Sequence, residues 1–221
     1  MVDKPAPLAV HPVGAYAELN LHSLLKKDPR WENTALHLAH RLDAETSGVL
    51  VIAKTEAAAR SMGIEFLKRR VRKKYKALVF GSPKEKEGEI NFPLGYDKSS
   101  GFQTVRVIDA DNGEAAATRF KVLWSKEEYS YLEVEPLTGR THQIRAHLSF
   151  IGHPIVGDKI YIDLSLFTRY VMNGLDDAML ERLKLPRLAL HASSLTFRHP
   201  RDKNEVTYES EPPDFFAEIK R

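Results

Sequence analysis

The chain has 221 residues, 43% hydrophobic and 29% charged, a balance ordinary for a globular protein with one substantial core or two small ones. It has no cysteine, which excludes disulfides, thiolate metal sites and a cysteine nucleophile and fits a reducing compartment. No apolar run approaches the roughly 20 residues that span a bilayer, and "MVDKPAPLAVHP" lacks the basic and apolar regions of a signal peptide, so a cytoplasmic protein with no membrane association is expected.

The net charge of +3 is unevenly spread. "KRRVRKKYK", residues 68 to 76, carries seven basic side chains and no acid, which leaves the rest of the chain net acidic by four. Such a block points to a local polyanion contact, or else to a solvated helix end whose cations favour the C-terminal dipole.

In chain order, residues 1 to 12 hold three prolines and read as extended. "AELNLHSLLKK" has helical spacing in Leu19, Leu21, Leu24 and Leu25. "VLVIA", 49 to 53, is a continuous β-branched run and is expected as one buried strand. Thr55 is positioned to cap a helix running to about Arg70, with Glu56 in its first turn. "KYKALVFG" alternates and reads as a strand ending at Gly81. "GEINFPLG", "QTVRVID", "AAATRFKVLWS" and "YSYLEVEPL" are separated by turn residues and predict antiparallel meanders. "GRTHQIRAHLSFIG" predicts a turn and then a helix, with Ile144, Leu148 and Ile151 on one face and Gly152 closing it. One or two short helices are expected in "DLSLFTRYVMNG" and "DDAMLERLKL", then a hairpin from "LALHASSLTFRHP" and "NEVTYESE", then a terminal helix in "PPDFFAEIKR". Antiparallel strands with helices between them predict an α+β fold, a mixed, mainly antiparallel sheet flanked by helices. With no repeat and no linker, a single catalytic domain over 1–221 is the economical expectation.

Two stretches could carry chemistry. "LAHRLDAETSGVLVIAKT" sets Asp43 where a loop meets a strand-like run, beside Arg41, Thr46, Ser47 and Gly48. A lone aspartate there ordinarily caps a turn; the nearby hydroxyls and Gly48 would equally suit a buried, reactive carboxylate. His37, His40 and Asp43 lack zinc-hydrolase spacing, which argues against a metal. The second stretch is "PLTGRTHQIRAHL". His142, Gln143 and Arg145 fall in the first turns of an amphipathic helix, able to reach a cleft while Ile144 and Leu148 anchor it. A buried Arg145 needs an anion, and Asp43 is a fitting candidate; Arg140 and Arg145 as plain surface residues are the alternative. Tyr75 could pack in a core or stack on a base beside phosphate-binding cations.

Together these segments resemble the RluA-type pseudouridine synthases. "HRLDAETSGVLVIAK" resembles the signature around that family's catalytic aspartate, implying Asp43. "KKYKALVFG" is similar to the segment bearing its active-site tyrosine, implying Tyr75. "GRTHQIRAHLSFIGHPIVGDKIY" resembles the motif whose second arginine pairs with the catalytic acid, implying Arg145. "RLALHASSLTFRHP" is similar to the C-terminal motif with an apolar residue near the bound base, here Leu190. "DKPAPLAVHP" resembles the opening segment, with Pro7 where glycine is usual.

The resemblance implies isomerisation of uridine within ribosomal or transfer RNA, ribosomal by preference, with no metal and no organic cofactor. Asp43, Tyr75 and Arg145 would be catalytic. Arg41, Arg140, His142, Gln143 and Leu190 would contact the nucleotide, Arg41 filling the space of a flipped base. Lys68, Arg69, Arg70, Arg72, Lys73 and Lys74 would grip the RNA backbone. Many relatives carry a small RNA-binding domain before the catalytic one; it is expected to be absent here or to lie outside this chain. A monomer is the default. The rivals are a non-catalytic RNA-binding protein of the same fold, which would have lost the acid, tyrosine or arginine, and a glycosidase using Asp43 with Glu45.

Overall fold

The computed structural model describes residues 1–12 and 14–218. In chain order the strands are β1 (Val2–Lys4), β2 (His37–Leu38), β3 (Ser47–Leu50), β4 (Ile52–Ala53), β5 (Arg72–Phe80), β6 (Glu87–Asn91), β7 (Leu94–Tyr96), β8 (Arg106–Ile108), β9 (Ala117–Ser125), β10 (Tyr129–Pro136), β11 (Leu190–Arg198) and β12 (Glu205–Glu209). The helices are α1 (Leu21–Lys27), α2 (Glu56–Leu67), α3 (Gln143–Phe150), α4 (Leu164–Asn173), α5 (Asp177–Leu183) and α6 (Phe215–Glu218). The chain forms two compact units. The first is Met1–Lys74 with His191–Pro213; the second is Tyr75–Leu190 with the residues from Asp214 onward.

In the first unit β3 pairs antiparallel with β1 and parallel with β11, and β11 pairs antiparallel with β12. A separate antiparallel pair joins β2 to β4. The core is Val49, Val51, Met62, Val71, Leu195 and Phe197, with Phe66 and Val206 packed against it.

In the second unit β5, β10, β9 and β6 form an antiparallel sheet in that order, so β5 pairs with the distant β10 rather than with β6, with a register shift at Tyr131 and Leu132. Strand β10 alternates strictly, burying Ser130, Leu132, Val134 and Pro136, as period-2 side-chain geometry requires of a half-buried strand. Helix α3 lays Leu148 and Ile144 into a core with Leu78, Leu132, Val134, Ile155 and Leu188. Strands β7 and β8 make a hairpin of their own. The α+β class with mainly antiparallel pairing is borne out.

Local chemistry explains most boundaries. Asn20, Thr55, Asp163 and Asp176 each accept a hydrogen bond from a first-turn N–H of α1, α2, α4 and α5. The helical spacing of "AELNLHSLLKK" corresponds to α1, of which Leu21 is buried and Leu24 exposed. Two expectations need correction. The run 49 to 53 is two strands, because the Val51 N–H is taken by the ring of His40 at 2.9 Å instead of a ladder partner. Helix α2 stops at Leu67, three residues short of Arg70. Arg69 adopts φ 54, its N–H donates to Phe66 O at 3.0 Å, and the Arg70 N–H donates to Glu65 O at 2.9 Å. That is a Schellman close with arginine where glycine is usual. The terminal helix is seen at Phe215–Glu218; the part of that expectation at 219–221 lies outside the described residues.

An L-residue in the left-handed region costs about 1 kcal/mol or more. Arg69→Gly is therefore expected to stabilise the fold by about 0.5–1 kcal/mol in chemical denaturation. A variant less stable than the parent would show that the Arg69 side chain makes up the backbone cost.

Candidate active site

The residues singled out in sequence divide between the two units. In the first, Asp43 lies partly buried on the loop between β2 and β3. The Thr46 N–H donates to Asp43 O at 3.1 Å and closes a turn. Arg41, two residues before, is exposed.

A buried lysine holds this loop in place. Lys4, at 0% exposure, donates from Nζ to Pro5 O at 2.9 Å, Leu8 O at 2.7 Å and Ala44 O at 3.0 Å. The Leu8 N–H meets the same Ala44 carbonyl at 2.8 Å. A buried ammonium is costly unless its protons are matched; here the matching carbonyls tie the opening segment to the residue after Asp43.

The other end of the loop is tied just as firmly. Ser47 Oγ and His191 Nδ1 share a hydrogen bond at 3.0 Å, and His191 Nε2–H donates to Ser210 O at 3.0 Å. Beside them Gly48, at φ 110, runs against β11 so closely that a Cβ would sit 2.2 Å from Ala192 O. Only glycine fits there.

His40 is structural. Its Nε2 accepts the Val51 N–H, and its ring stacks on Phe66 at 4.8 Å. Burial, with the charge of Lys73, pulls its pKa from 6.5 down to about 4. The ring is neutral at pH 7, with its proton on Nδ1.

The basic block straddles the end of α2 and the start of β5. Acids reach it from elsewhere in the chain: Glu65 to Arg70 at 3.5 Å, Glu205 to Arg72 at 2.8 Å and, in the second unit, Glu133 to Lys76 at 3.0 Å. Lys68, Arg69 and Lys74 are exposed, and Lys73 is partly buried.

In the second unit Tyr75 opens the β5 ladder opposite Val134, partly buried and packed against the core. Arg145 on α3 is buried, and within this unit its anion is Asp158, a residue the sequence reading did not single out. Nε donates to Asp158 Oδ2 at 2.7 Å and Nη2 to Oδ1 at 2.8 Å, a bidentate fork. Oδ1 also accepts from the N–H groups of Ile160 at 3.0 Å and Tyr161 at 3.1 Å. Burial alone would raise the Asp158 pKa; the Arg145 charge and these donors outweigh it and hold the carboxyl below the usual range. Gly157 makes the sharp turn before it at φ 78, where a Cβ would lie 1.9 Å from Arg187 O. The Tyr161 ring lies 5.2 Å from the Arg145 guanidinium carbon.

The remaining predicted contacts have structural partners. Gln143 is buried and all four hydrogen-bonding capacities of its amide are used. Oε1 accepts from Thr138 Oγ1 and Arg140 N; Nε2 donates to Ala117 O and Thr118 Oγ1. Arg140 pairs with Glu114 at 2.7 Å. His142 precedes α3 in the left-handed region at φ 54, with Nδ1 3.4 Å from Tyr161 Oη. Leu190 is buried in the core of this unit. His147, behind Arg145, donates from Nε2 to Phe92 O and accepts at Nδ1 from Thr118 Oγ1. Burial lowers its pKa, partly offset by the Phe92 carbonyl.

Comparison with known proteins identifies the lineage of this arrangement. Residues 1–150 match the model of a family described as RNA pseudouridylate synthase. The chain is 36% identical over 221 residues to the ribosomal large subunit pseudouridine synthase D of Nitrosomonas europaea, covering 99% of this chain and 61% of that protein. It is 35% identical over 177 residues to the dual-specificity RNA pseudouridine synthase RluA of Escherichia coli, covering 80% of this chain and 73% of that one. Among solved structures, the human RNA pseudouridylate synthase domain containing 4 superposes with a TM-score of 0.74 at 31% identity, over 97% of this chain and 85% of the other. The chain belongs to the RNA pseudouridylate synthase family. It spans about 60% of the length of the first curated relatives that it matches. Among the described residues, no helix is long and apolar enough to cross a membrane.

The histidines make stability depend on pH. Between pH 6.5 and about 4 the unfolded chain binds a proton at residue 40 that the folded chain refuses. The stability from neutral His40 is therefore complete above pH 6.5 and lost as pH falls toward 4, on the order of 3 kcal/mol. His147 acts in the same direction. His40→Gln, whose amide oxygen can accept the Val51 N–H, is expected to show a shallower loss of denaturation midpoint over that window. Parallel curves for the two proteins would rule His40 out as the group responsible.

Proposed function

We propose that this chain isomerises uridine to pseudouridine within structured RNA, ribosomal RNA in preference to transfer RNA. What carries the reading is family membership with an acid, a phenol and a guanidinium present together at the three motif positions: Asp43, Tyr75 and Arg145. A relative that bound RNA without catalysis could have lost any of them. Both compact units serve one catalytic domain in this reading.

The reaction breaks the N-glycosidic bond, turns the uracil over and joins its C5 to the sugar. Asp43 acts at the sugar, as a nucleophile at C1′ or a base at C2′, and stabilises the oxocarbenium-like centre that forms as the base departs. Arg145 supplies a guanidinium to the reaction, with Asp158 fixing the plane of its fork. Tyr75 stacks on the detached uracil and moves a proton as C5 gives up its hydrogen. Water must be kept from the sugar, or the base would be cut away rather than rejoined.

A uridine in a structured RNA has to leave its stack to react, at a cost of roughly a few kcal/mol. Arg41, exposed and two residues from Asp43, fills the vacated space. Lys68, Arg69, Arg70, Arg72, Lys73 and Lys74 hold the backbone. The surface ion pairs of Arg70 and Arg72 are no obstacle, since such pairs contribute about 0–1 kcal/mol and can be exchanged for phosphates. Gln143 supports the reaction by bracing the turn that carries Arg140 and His142.

Asp43→Asn is expected to abolish pseudouridine formation in RNA while binding stays within about threefold of the parent. Measurable turnover by that variant would remove Asp43 from its role. Free uracil released by the parent would instead make the protein a glycosidase. RNA affinity should fall steeply with added salt, and Arg69→Gly should reduce the slope of log K against log salt by about one. A flat salt response would take the basic block out of RNA binding.

A further inference from the structure

The hairpin β7–β8 of the second unit buries a charge that has no counter-charge among the described residues. Arg106, on β8, is 7% exposed. Its main-chain N–H donates to Tyr161 Oη at 3.0 Å, and its guanidinium carbon lies 3.4 Å from the centre of the Tyr96 ring. Among the described residues the guanidinium has no ion pair and no hydrogen bond, and Nη1 is closed off from solvent without a partner. Arg145 in the same unit shows the ordinary solution to burying a guanidinium, a carboxylate on its fork.

Burial of an ion costs several kcal/mol even after relaxation, which a desolvated cation–π contact of about 2 kcal/mol or more offsets only in part. A methionine or leucine would fill the same space at no such cost. The charge at Arg106 is thus retained against the stability of the free protein, and its value points to an anion that the described residues do not supply. The planar fork of arginine fits the oxygens of a phosphate. Tyr96, the aromatic partner, is 58% exposed and forms the solvent side of the stack. Tyr161 joins this hairpin to Arg145, holding the Arg106 backbone with its hydroxyl and facing the Arg145 guanidinium with its ring.

We propose that Arg106 is a phosphate-binding site, occupied in the working complex by a backbone phosphate of the RNA. This inference rests on the RNA reading above for the source of the phosphate and on the unpaired guanidinium for the chemistry. The test uses the full chain with Arg106→Met and Arg106→Lys, read by thermal midpoint and by binding to a ribosomal RNA transcript. Arg106→Met is expected to bind RNA about tenfold more weakly, to reduce the salt slope by about one and to melt at or above the parent's temperature. Arg106→Lys keeps the charge and the parental slope. Inorganic phosphate, compared with chloride at matched ionic strength, is expected to raise the midpoint of the parent and not that of Arg106→Met.

Unchanged RNA affinity and slope in Arg106→Met would overturn the proposal. So would a lowered midpoint or failure of that variant to fold, because the guanidinium would then be structural, and so would equal phosphate responses. If the parent isomerises no uridine but phosphate still protects it alone, the catalytic reading fails and the phosphate site stands.

Discussion

A guanidinium and a carboxylate are held out of water together in the second unit, and the elements around them take their places from that pair. The Asp158 side chain is fully buried and that of Arg145 nearly so. Removing one partner from such a pair typically costs 3–5 kcal/mol, because the survivor is left charged and unmatched. The constraint is geometric as well as energetic. Two parallel N–H···O bonds fix the plane of the arginine, the Ile160 and Tyr161 N–H groups fix the carboxylate, and the glycine turn at 157 delivers it. An arginine so bound keeps its aim without depending on the flexible part of its side chain.

The first unit applies the same principle with different chemistry. The loop carrying Asp43 is anchored by an ammonium among carbonyls on one side and by a serine–histidine hydrogen bond on the other. Neither anchor is apolar. Apolar packing tolerates small slips, whereas a matched buried polar group loses its partners if the backbone moves by an ångström. In each unit polar groups position one segment proposed for chemistry, the Asp43 loop in the first and Arg145 in the second, whereas Tyr75 packs against a hydrophobic core. Arg106 departs from this pattern, since nothing among the described residues matches its charge.

The sequence disclosed what depends on neighbours a few residues apart. Thr55 as a cap, the alternation of "KYKALVFG" and the turn residues between the strands marked element types and several boundaries. Features set by distant residues were not legible. Nothing local warned that the His40 ring would break the run at Val51. The choice of Asp158 for Arg145 rests on a glycine turn 12 residues downstream. Lys4 reads as an ordinary charged residue of an extended segment until its three carbonyls are in place. The block at 68 to 76 looked free of acids because its carboxylates arrive from residues 65, 133 and 205. The motif residues themselves were found through resemblance, since spacing alone left each of them with an everyday alternative.

The parallel pairing of Ser47 and Gly48 with His191 and Ala192 joins residues 144 apart in the chain. Contacts of such separation are slow to form, because loop closure must come before any gain. During synthesis the stretch that bears the proposed catalytic acid can pair with β1 at once, but its other neighbour, β11, is made only after the intervening strands and helices. One edge of that stretch is therefore completed late, by a segment far along the chain.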